Sequence, residues 1–172
     1  TGTGNTAAGA EALASVTTAN DNTAFGRVAL NANTGAANTA VGRSALANNT
    51  TASNNTAVGY QAGYSNTTGS GLALFGYQAG YSTTGSNVTA FGPSAARSTT
   101  TGGAITAIGE QALYSNTTAS YNTAVGYQAV YSGNGADITA VGYQAGYSNT
   151  GDNNTYYGFR AGRSTTSGTE II

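Results

Sequence analysis

One glycine recurs every 16 or 17 residues along the whole chain, and this spacing constrains the fold more than any other feature. The repeat around it reads Asn-Thr-Ala-apolar-Gly-x-x-Ala, as in residues 55–62. Ala follows the glycine by three residues in every copy, and Thr precedes it by three residues in all copies but the one with Ala73. A unit this short leaves room for neither a helix pair nor a propeller blade. Residues 1–172 are therefore predicted to form a single repeat array of ten copies, centred on Gly9, Gly26, Gly42, Gly59, Gly76, Gly92, Gly109, Gly126, Gly142 and Gly158.

Each repeat carries the signals of short strands and turns. Asn55 and Ala57 alternate with Thr56 and Val58, which is the period of a β-strand. Stretches rich in Ser, Asn, Thr and Gly, such as residues 65–70, are typical of surface turns. We therefore predict an all-β fold, a parallel β-solenoid (β-roll) of ten 16–17-residue coils. Each coil is expected to contain a short strand, a glycine bend, a second short strand and a turn. Strands about 4.8 Å apart would make a rod on the order of 48 Å long.

The chain is poor in large apolar residues, which raises the question of how it folds. Leu, Ile, Val and Phe make up 23 of the 172 residues, a share typical of disordered chains. Disorder normally also requires a high net charge, and the net charge here is −1. Stacking offers another source of stability, because each coil of a repeat array is held by its neighbours. In-register Asn, Thr and Gln side chains are predicted to form hydrogen-bonded ladders along the stack, and the Gln ladder consists of Gln61, Gln78, Gln111, Gln128 and Gln144.

The predicted strand has apolar residues on both of its faces. The residue before the glycine is apolar in every copy, and it is small only at Ala8. The residue four positions before the glycine is also apolar in several copies, at Leu72, Val88, Ile105 and Ile138. One face can fill the inside of a coil, whereas the other needs a partner. We therefore predict side-by-side association of identical chains, with a closed homotrimer as the expected assembly.

The repeat core resembles the head repeats of trimeric autotransporter adhesins, which use an Asn-Ser-Val-Ala-Ile-Gly-type core, and it is similar to repeats of phage tail fibres. The likeness covers nearly the whole chain and is carried by five-residue cores such as residues 105–109. It implies a left-handed parallel β-roll wound as a trimer. The present repeat is longer than the coil of that family, and Thr stands where Val is usual. The resemblance transfers no functional residues, because the binding surfaces of the family are not fixed motif positions.

The composition argues against most chemical functions. His, Cys and Lys are absent, so the chain lacks the usual nucleophile pairs, zinc or haem ligands and phosphate-binding lysine. Five scattered Arg residues provide no electrostatic footprint for nucleic acid. No segment contains the roughly 20 apolar residues of a membrane span. We expect no enzyme activity, no cofactor, no metal, no nucleic-acid partner and no membrane insertion. The carboxylates form no regular rank and are interpreted as solvating charges at Glu11, Asp21, Glu110, Asp137, Asp152 and Glu170. The same interpretation applies to Arg27, Arg43, Arg97, Arg160 and Arg163, of which Arg160 and Arg163 are also candidates to pair with the acidic end of a following subunit.

Tyrosine is the residue most suggestive of a binding surface. It recurs one residue after the glycine and again five residues after it, at Tyr60, Tyr77, Tyr127 and Tyr143, and at Tyr64, Tyr81, Tyr114, Tyr131 and Tyr147. Stacked coils would align these residues into two aromatic columns. One interpretation is structural, with rings packing on each other and between chains. The other is a surface for glycans, because aromatic rings bind sugar rings and dominate interfaces.

Asn and Thr suggest two further surface functions. The glycosylation pattern Asn-x-Ser/Thr occurs at Asn48, Asn49, Asn54, Asn66, Asn87, Asn116 and Asn153. A regular rank of Thr residues is a feature of ice-binding solenoids. The longest rank lies in the apolar strand, where we expect it to be buried, and this counts against ice binding. Its members are Thr6, Thr23, Thr39, Thr56, Thr89, Thr106, Thr123, Thr139 and Thr155.

These observations together predict a non-enzymatic structural protein that forms an extracellular fibre or fibre shaft, as in a cell-surface filament or a virion tail fibre. The alternative is an adhesin that recognises surface glycans through the tyrosine columns, and ice binding is the less favoured third function. Residues 170–172 give the array an apolar end without an obvious polar cap. Head-to-tail polymerisation or continuation into a longer chain is therefore expected, and the initial Thr fits a processed or excised piece.

Overall fold

The computed structural model describes residues 2–166. These residues form a stack of coils in which every coil contributes one strand to a single parallel sheet, with the strands in sequence order. Equivalent residues pair in register, as in Thr39 with Thr56 and Ala40 with Ala57. The predicted parallel β-solenoid is confirmed. The strands are β1 (Thr6–Ala8), β2 (Thr23–Phe25), β3 (Thr39–Val41), β4 (Thr56–Val58), β5 (Ala73–Phe75), β6 (Val88–Phe91), β7 (Ile105–Ile108), β8 (Thr123–Val125), β9 (Thr139–Val141) and β10 (Thr155–Tyr157).

The recurring glycine ends each strand for two physical reasons. Gly59 has a φ of 137°, which a residue with a Cβ rarely adopts. A Cβ built at Gly59 would also lie 2.3 Å from the backbone oxygen of Gly76 on the next coil. The glycines stack directly on each other, so a side chain at any inner rung would push two coils apart. Direct stacking of the coils therefore requires a glycine at this position once in every repeat.

The wall after the glycine is a series of turns, and the expected second strand is absent from the described coils. The N–H groups of Ala62, Tyr64 and Asn66 each donate to a carbonyl three residues back. Gln61 and Gly63 have φ values of 55° and 61°, outside the region of a strand. These alternating conformations turn successive N–H groups towards different neighbours. The N–H of Gln61 donates to the coil before it, and the N–H of Gly63 donates to the coil after it.

Small residues fill most of the interior, and large residues appear where glycine leaves space. Ala57 and Ala62 are fully buried and face each other's walls across the narrow coil. Leu74 replaces Ala in the strand of its coil, and a Cβ built at Gly80 or Gly63 would lie 2.7 or 2.8 Å from its side chain. In the last described coil Tyr156 fills the corresponding space beside Gly146 and Gly162. A large side chain on the strand wall is thus matched by glycine on the turn wall, so the filled volume of the interior is conserved.

Buried Asn side chains supply polar links between coils, as expected for in-register Asn residues. The Oδ1 atom of Asn55 accepts the backbone N–H of Leu72 on the next coil at 3.0 Å. Its Nδ2 donates to the carbonyl of Gly69 at 2.9 Å, and Asn66 donates to the same carbonyl at 3.0 Å. Asn66 also donates to Oδ1 of Asn49 at 2.7 Å. Since Asn55 and Asn66 each have several partners, the turn corner that they form is held by hydrogen bonds as well as by packing.

Candidate interaction surfaces

The tyrosines form two columns on the turn wall, as predicted from their spacing. Tyr60 and Tyr77 stack with ring centroids 5.5 Å apart and an interplanar angle of 11°. Tyr131 stacks between two neighbours, with centroids 5.1 Å from Tyr114 and 5.2 Å from Tyr147. The remaining stacked rings are Tyr64 with Tyr81, and Tyr127 with Tyr143, whose other side contacts Phe159. We call this wall the tyrosine face, made of the columns of Tyr60, Tyr77, Tyr127 and Tyr143 and of Tyr64, Tyr81, Tyr114, Tyr131 and Tyr147.

A ladder of Gln side chains lies between the two columns of the tyrosine face. Nε2 of Gln78 donates to Oε1 of Gln61 at 2.9 Å. The same bond links Gln128 to Gln111 and Gln144 to Gln128, both at 2.8 Å. The predicted ladder is therefore confirmed for these pairs. Because Gln128 uses its nitrogen for Gln111 and its oxygen for Gln144, the ladder runs along the rod axis.

In the column five residues after the glycine, arginine takes the place of tyrosine on two coils, although the sequence suggested only solvating charges there. Arg97 stands in the column position between Tyr81 and Tyr114, with its Cζ 5.2 and 5.8 Å from the two ring centroids. Its Nε donates to Oε1 of Gln78 at 3.1 Å. Arg163 makes the same pair of contacts, with the ring of Tyr147 and with Gln144. A planar guanidinium can continue an aromatic stack. The sequence signal for this role was the position of Arg97 and Arg163, five residues after the glycine, where other coils carry Tyr.

Stacking determines what the tyrosine face offers to a ligand. The rings within a column cover each other's faces, so their edges and hydroxyl groups are what solvent reaches. Tyr77 is 53% exposed and Tyr60 37% exposed in this arrangement. Burial and the neighbouring phenols of Tyr114 and Tyr147 raise the pKa of Tyr131 above its usual value. The face therefore suits hydrogen bonding along its length better than stacking of sugar rings on free aromatic faces.

A second surface lies on the outer side of the sheet, and we call it the strand face. It consists of the Thr rank and of the apolar row that precedes each glycine. Phe25, Phe91 and Ile108 in that row are 45%, 41% and 41% exposed. The Thr residues between them are partly exposed, so the expectation of a buried Thr rank is wrong. They lie on the outer side because the strand alternates, and its Ala and Asn positions point into the coil. The described row is Phe25, Val41, Val58, Phe75, Phe91, Ile108, Val125, Val141 and Tyr157.

The seven glycosylation patterns differ in accessibility. Asn49, Asn66 and Asn116 are fully buried. The amide nitrogens of Asn49 and Asn66 donate to backbone carbonyls inside the turn corner. The side chains of these three residues belong to the interior, so they are less suited to carry a glycan in the folded chain than the exposed ones. The exposed candidates are Asn48, Asn54, Asn87 and Asn153.

The charged groups of the described residues form no cluster. Glu11, Asp21, Glu110, Asp137 and Asp152 are all exposed, and Glu170 lies outside the described residues. Within residues 2–166 no three His, Cys, Asp or Glu residues come together in a way that could hold a metal ion. The same residues contain no helix that could cross a membrane. The apolar end at residues 170–172 also lies outside the described part of the chain.

Comparison with known proteins identifies no relative of this chain. No family model, no curated protein and no solved structure matches it.

Proposed function

We propose that this chain is a non-enzymatic structural protein that associates side by side through its strand face, as a homotrimer, to form an extracellular fibre or fibre shaft. The observation that carries the proposal is the apolar row on the outer side of the sheet. It runs from β2 to β10 without a charged residue at either position of the strand face. The trimer, the left-handed winding and the extracellular location also follow the resemblance to adhesin and tail-fibre repeats.

The exposed row is large enough to offset much of the cost of association. Burying the exposed part of a side chain such as Phe91, which is 41% exposed, stabilises a complex by roughly 1 kcal/mol. A row of nine such residues would contribute on the order of 10 kcal/mol per chain, which lies within the roughly 4–15 kcal/mol that association costs. Exposed rows of this length are uncommon on monomeric proteins. The Thr rank beside it adds methyl groups and hydroxyls that can be buried at small cost.

Light scattering after size exclusion tests the association directly. A trimer has three times the chain mass of 16.9 kDa. The variant Phe91→Glu with Ile108→Glu places charges in the middle of the strand face and should give a monomer. The matched control, Thr68→Glu with Thr118→Glu, adds the same charges at exposed turn positions and should remain a trimer. Circular dichroism of both variants must show the native β spectrum. A native monomer, or a trimer that survives the strand-face charges, would refute this mode of association.

Electron microscopy distinguishes a fibre from a short binding module. Indefinite filaments support head-to-tail polymerisation, whereas discrete rods support a segment of a longer fibre or an adhesin head. Glycan recognition by the tyrosine face remains the second candidate, supported by the exposed hydroxyl edges of Tyr60 and Tyr77. A glycan array that shows no binding would eliminate it. Ice binding is less well supported, because side chains as different as Ala8, Val58 and Phe75 make the apolar row uneven.

A further inference from the structure

The strongest unexplained feature of the molecule is the close pairing of phenol rings on successive coils. Five Tyr–Tyr pairs stack with centroids 5.1–5.5 Å apart and planes within 15° of parallel. Neither association through the strand face nor the backbone ladder requires phenol hydroxyls at these positions. Phe would stack equally well, and indeed Phe159 continues one column.

We propose that the stacked pairs are sites of oxidative dityrosine formation, which links consecutive coils covalently. The bond forms between ring carbons ortho to the two hydroxyls. A one-electron oxidant, here a peroxidase with hydrogen peroxide, removes one electron and one proton from each phenol. The two phenoxyl radicals couple through a carbon–carbon bond, and each ortho hydrogen then moves to its oxygen to restore the phenol. One peroxide becomes two waters, and the product is lighter by two hydrogen atoms.

The geometry favours this reaction between neighbours on adjacent coils. Tyr64 and Tyr81 are held with centroids 5.3 Å apart, so rotation of either side chain can bring the ortho carbons together. Fixing two reactants in this way raises their effective concentration by orders of magnitude over that of free partners. The rings are also accessible at their edges, since Tyr77 is 53% exposed. A small oxidant or a long-range electron acceptor can therefore reach them without unfolding of the coil.

The same chain contains positions where no link is expected. Tyr81 and Tyr114 lie in one column but two coils apart, and Arg97 occupies the coil between them. Tyr121 is 68% exposed and stacks with no other ring among the described contacts. These residues distinguish pairing by geometry from oxidation by exposure alone. If exposure decided the outcome, Tyr121 and Tyr157, which is 76% exposed, would react first.

Each link would close a loop of about one repeat between two coils. A covalent loop of this length stabilises a folded chain when it forms without strain, on the analogy of a disulfide. Because Tyr131 belongs to two of the five pairs, up to four links would strengthen a rod that has no Cys from which to form disulfides. This role does not depend on the proposed trimer, because the links lie within one chain.

Peptide mapping tests the proposal with high resolution, because trypsin has few sites in this chain. Cleavage after Arg43, Arg97 and Arg160 separates residues 44–97, with Tyr60, Tyr64, Tyr77 and Tyr81, from residues 98–160. After peroxidase treatment of the native protein, peptide 44–97 should be up to four hydrogen atoms lighter and should fluoresce as dityrosine. Peptides 44–97 and 98–160 should remain separate, because a Tyr81–Tyr114 link is not expected.

Two variants complete the experiment. Tyr60→Phe with Tyr64→Phe keeps the stacks but removes one phenol from each pair, so peptide 44–97 should lose its mass change while peptide 98–160 keeps its own. Tyr121→Phe is the matched control and should leave both peptides as in the parent protein. A joined 44–97/98–160 product in the parent protein, loss of linking in Tyr121→Phe, or no dityrosine at all in the native chain would overturn the proposal.

Discussion

Leu74 fills the space that the absent side chain of Gly80 leaves, and this contact gives the most demanding test of how the interior packs. Leu74 is fully buried, so Leu74→Ala should leave a cavity and cost about 3 kcal/mol of unfolding free energy. Gly80→Leu should also destabilise the parent chain. A Cβ at Gly80 would lie 2.7 Å from Cδ2 of Leu74, and such overpacking costs roughly 1–3 kcal/mol. Leu nevertheless occupies the equivalent position in other coils with similar backbone, as at Leu46 with a φ of 48°.

The double variant restores the arrangement that Ala40 and Leu46 show in their own coil. Its Leu should fill the cavity left by Leu74→Ala, so its stability should fall short of the parent by only about 1–2 kcal/mol. The two single effects would sum to roughly 5 kcal/mol, so the coupling free energy should be about 3 kcal/mol. Urea unfolding followed by circular dichroism measures each corner of this cycle, provided that unfolding is cooperative.

Leu113→Ala is the matched control for the cycle. Leu113 is also fully buried and should cost as much as Leu74 when it is shortened. It lies two coils from Gly80, so combining Leu113→Ala with Gly80→Leu should give additive effects. Additivity in the Leu74–Gly80 cycle, to within about 0.5 kcal/mol, would refute the view that the two walls share one volume.

Three further predictions address the glycine stack, the tyrosine column and the buried amides. Gly76→Ala should lower the melting temperature far more than Gly158→Ala. A Cβ at Gly76 would lie 2.5 Å from the Gly92 oxygen, whereas nothing lies within 4 Å of a Cβ at Gly158. Calorimetry of the two variants checks this, and equal losses would contradict it. The raised pKa of Tyr131 favours its neutral form in the fold. The stability that Tyr131 contributes is therefore fully present below the ordinary tyrosine pKa of 10.0 and declines as pH rises through the higher folded value. Tyr131→Phe should flatten this alkaline decline in urea titrations, and an unchanged slope would count against it. In a host that glycosylates Asn, mass spectrometry of the folded product should find any glycan on the exposed sites, which are Asn48, Asn54, Asn87 and Asn153. It should find none on the buried Asn49, Asn66 and Asn116. A glycan on one of these three would show that the turn corner opens.

The repeat alone predicted a large part of the structure. The period of the glycine gave the parallel stack, the copy number and the register, because identical residues recur at positions that stacking must superpose. The columns of Tyr and the ladder of Gln followed from the same argument and are confirmed by the ring and amide contacts of residues 60–78. Spacing suffices here because each coil sits directly on the next.

The local conformation of the turn wall was not predictable in the same way. Alternation and turn-forming residues suggested a second strand, but residues such as Gln61 and Leu46 adopt a positive φ that their types do not favour. Hydrogen bonds to both neighbouring coils compensate for this cost, and such bonds exist only in the assembled stack. The role of Arg97 as a member of an aromatic column was hidden for a similar reason, since its partners belong to the coils above and below it.

Sequence by itself determined that two faces of each strand alternate, one with Asn and Ala and the other with Thr and a large apolar residue. Only the tertiary structure decided which of them is inside. The coil closes with its walls so near that Ala57 and Ala62 fill it, and the larger Val58 is left on the outer side. Hydrophobicity alone would favour burying the larger residue. Close packing of the interior outweighs that preference within one chain. The larger side chains therefore stay on the strand face, where another chain can cover them.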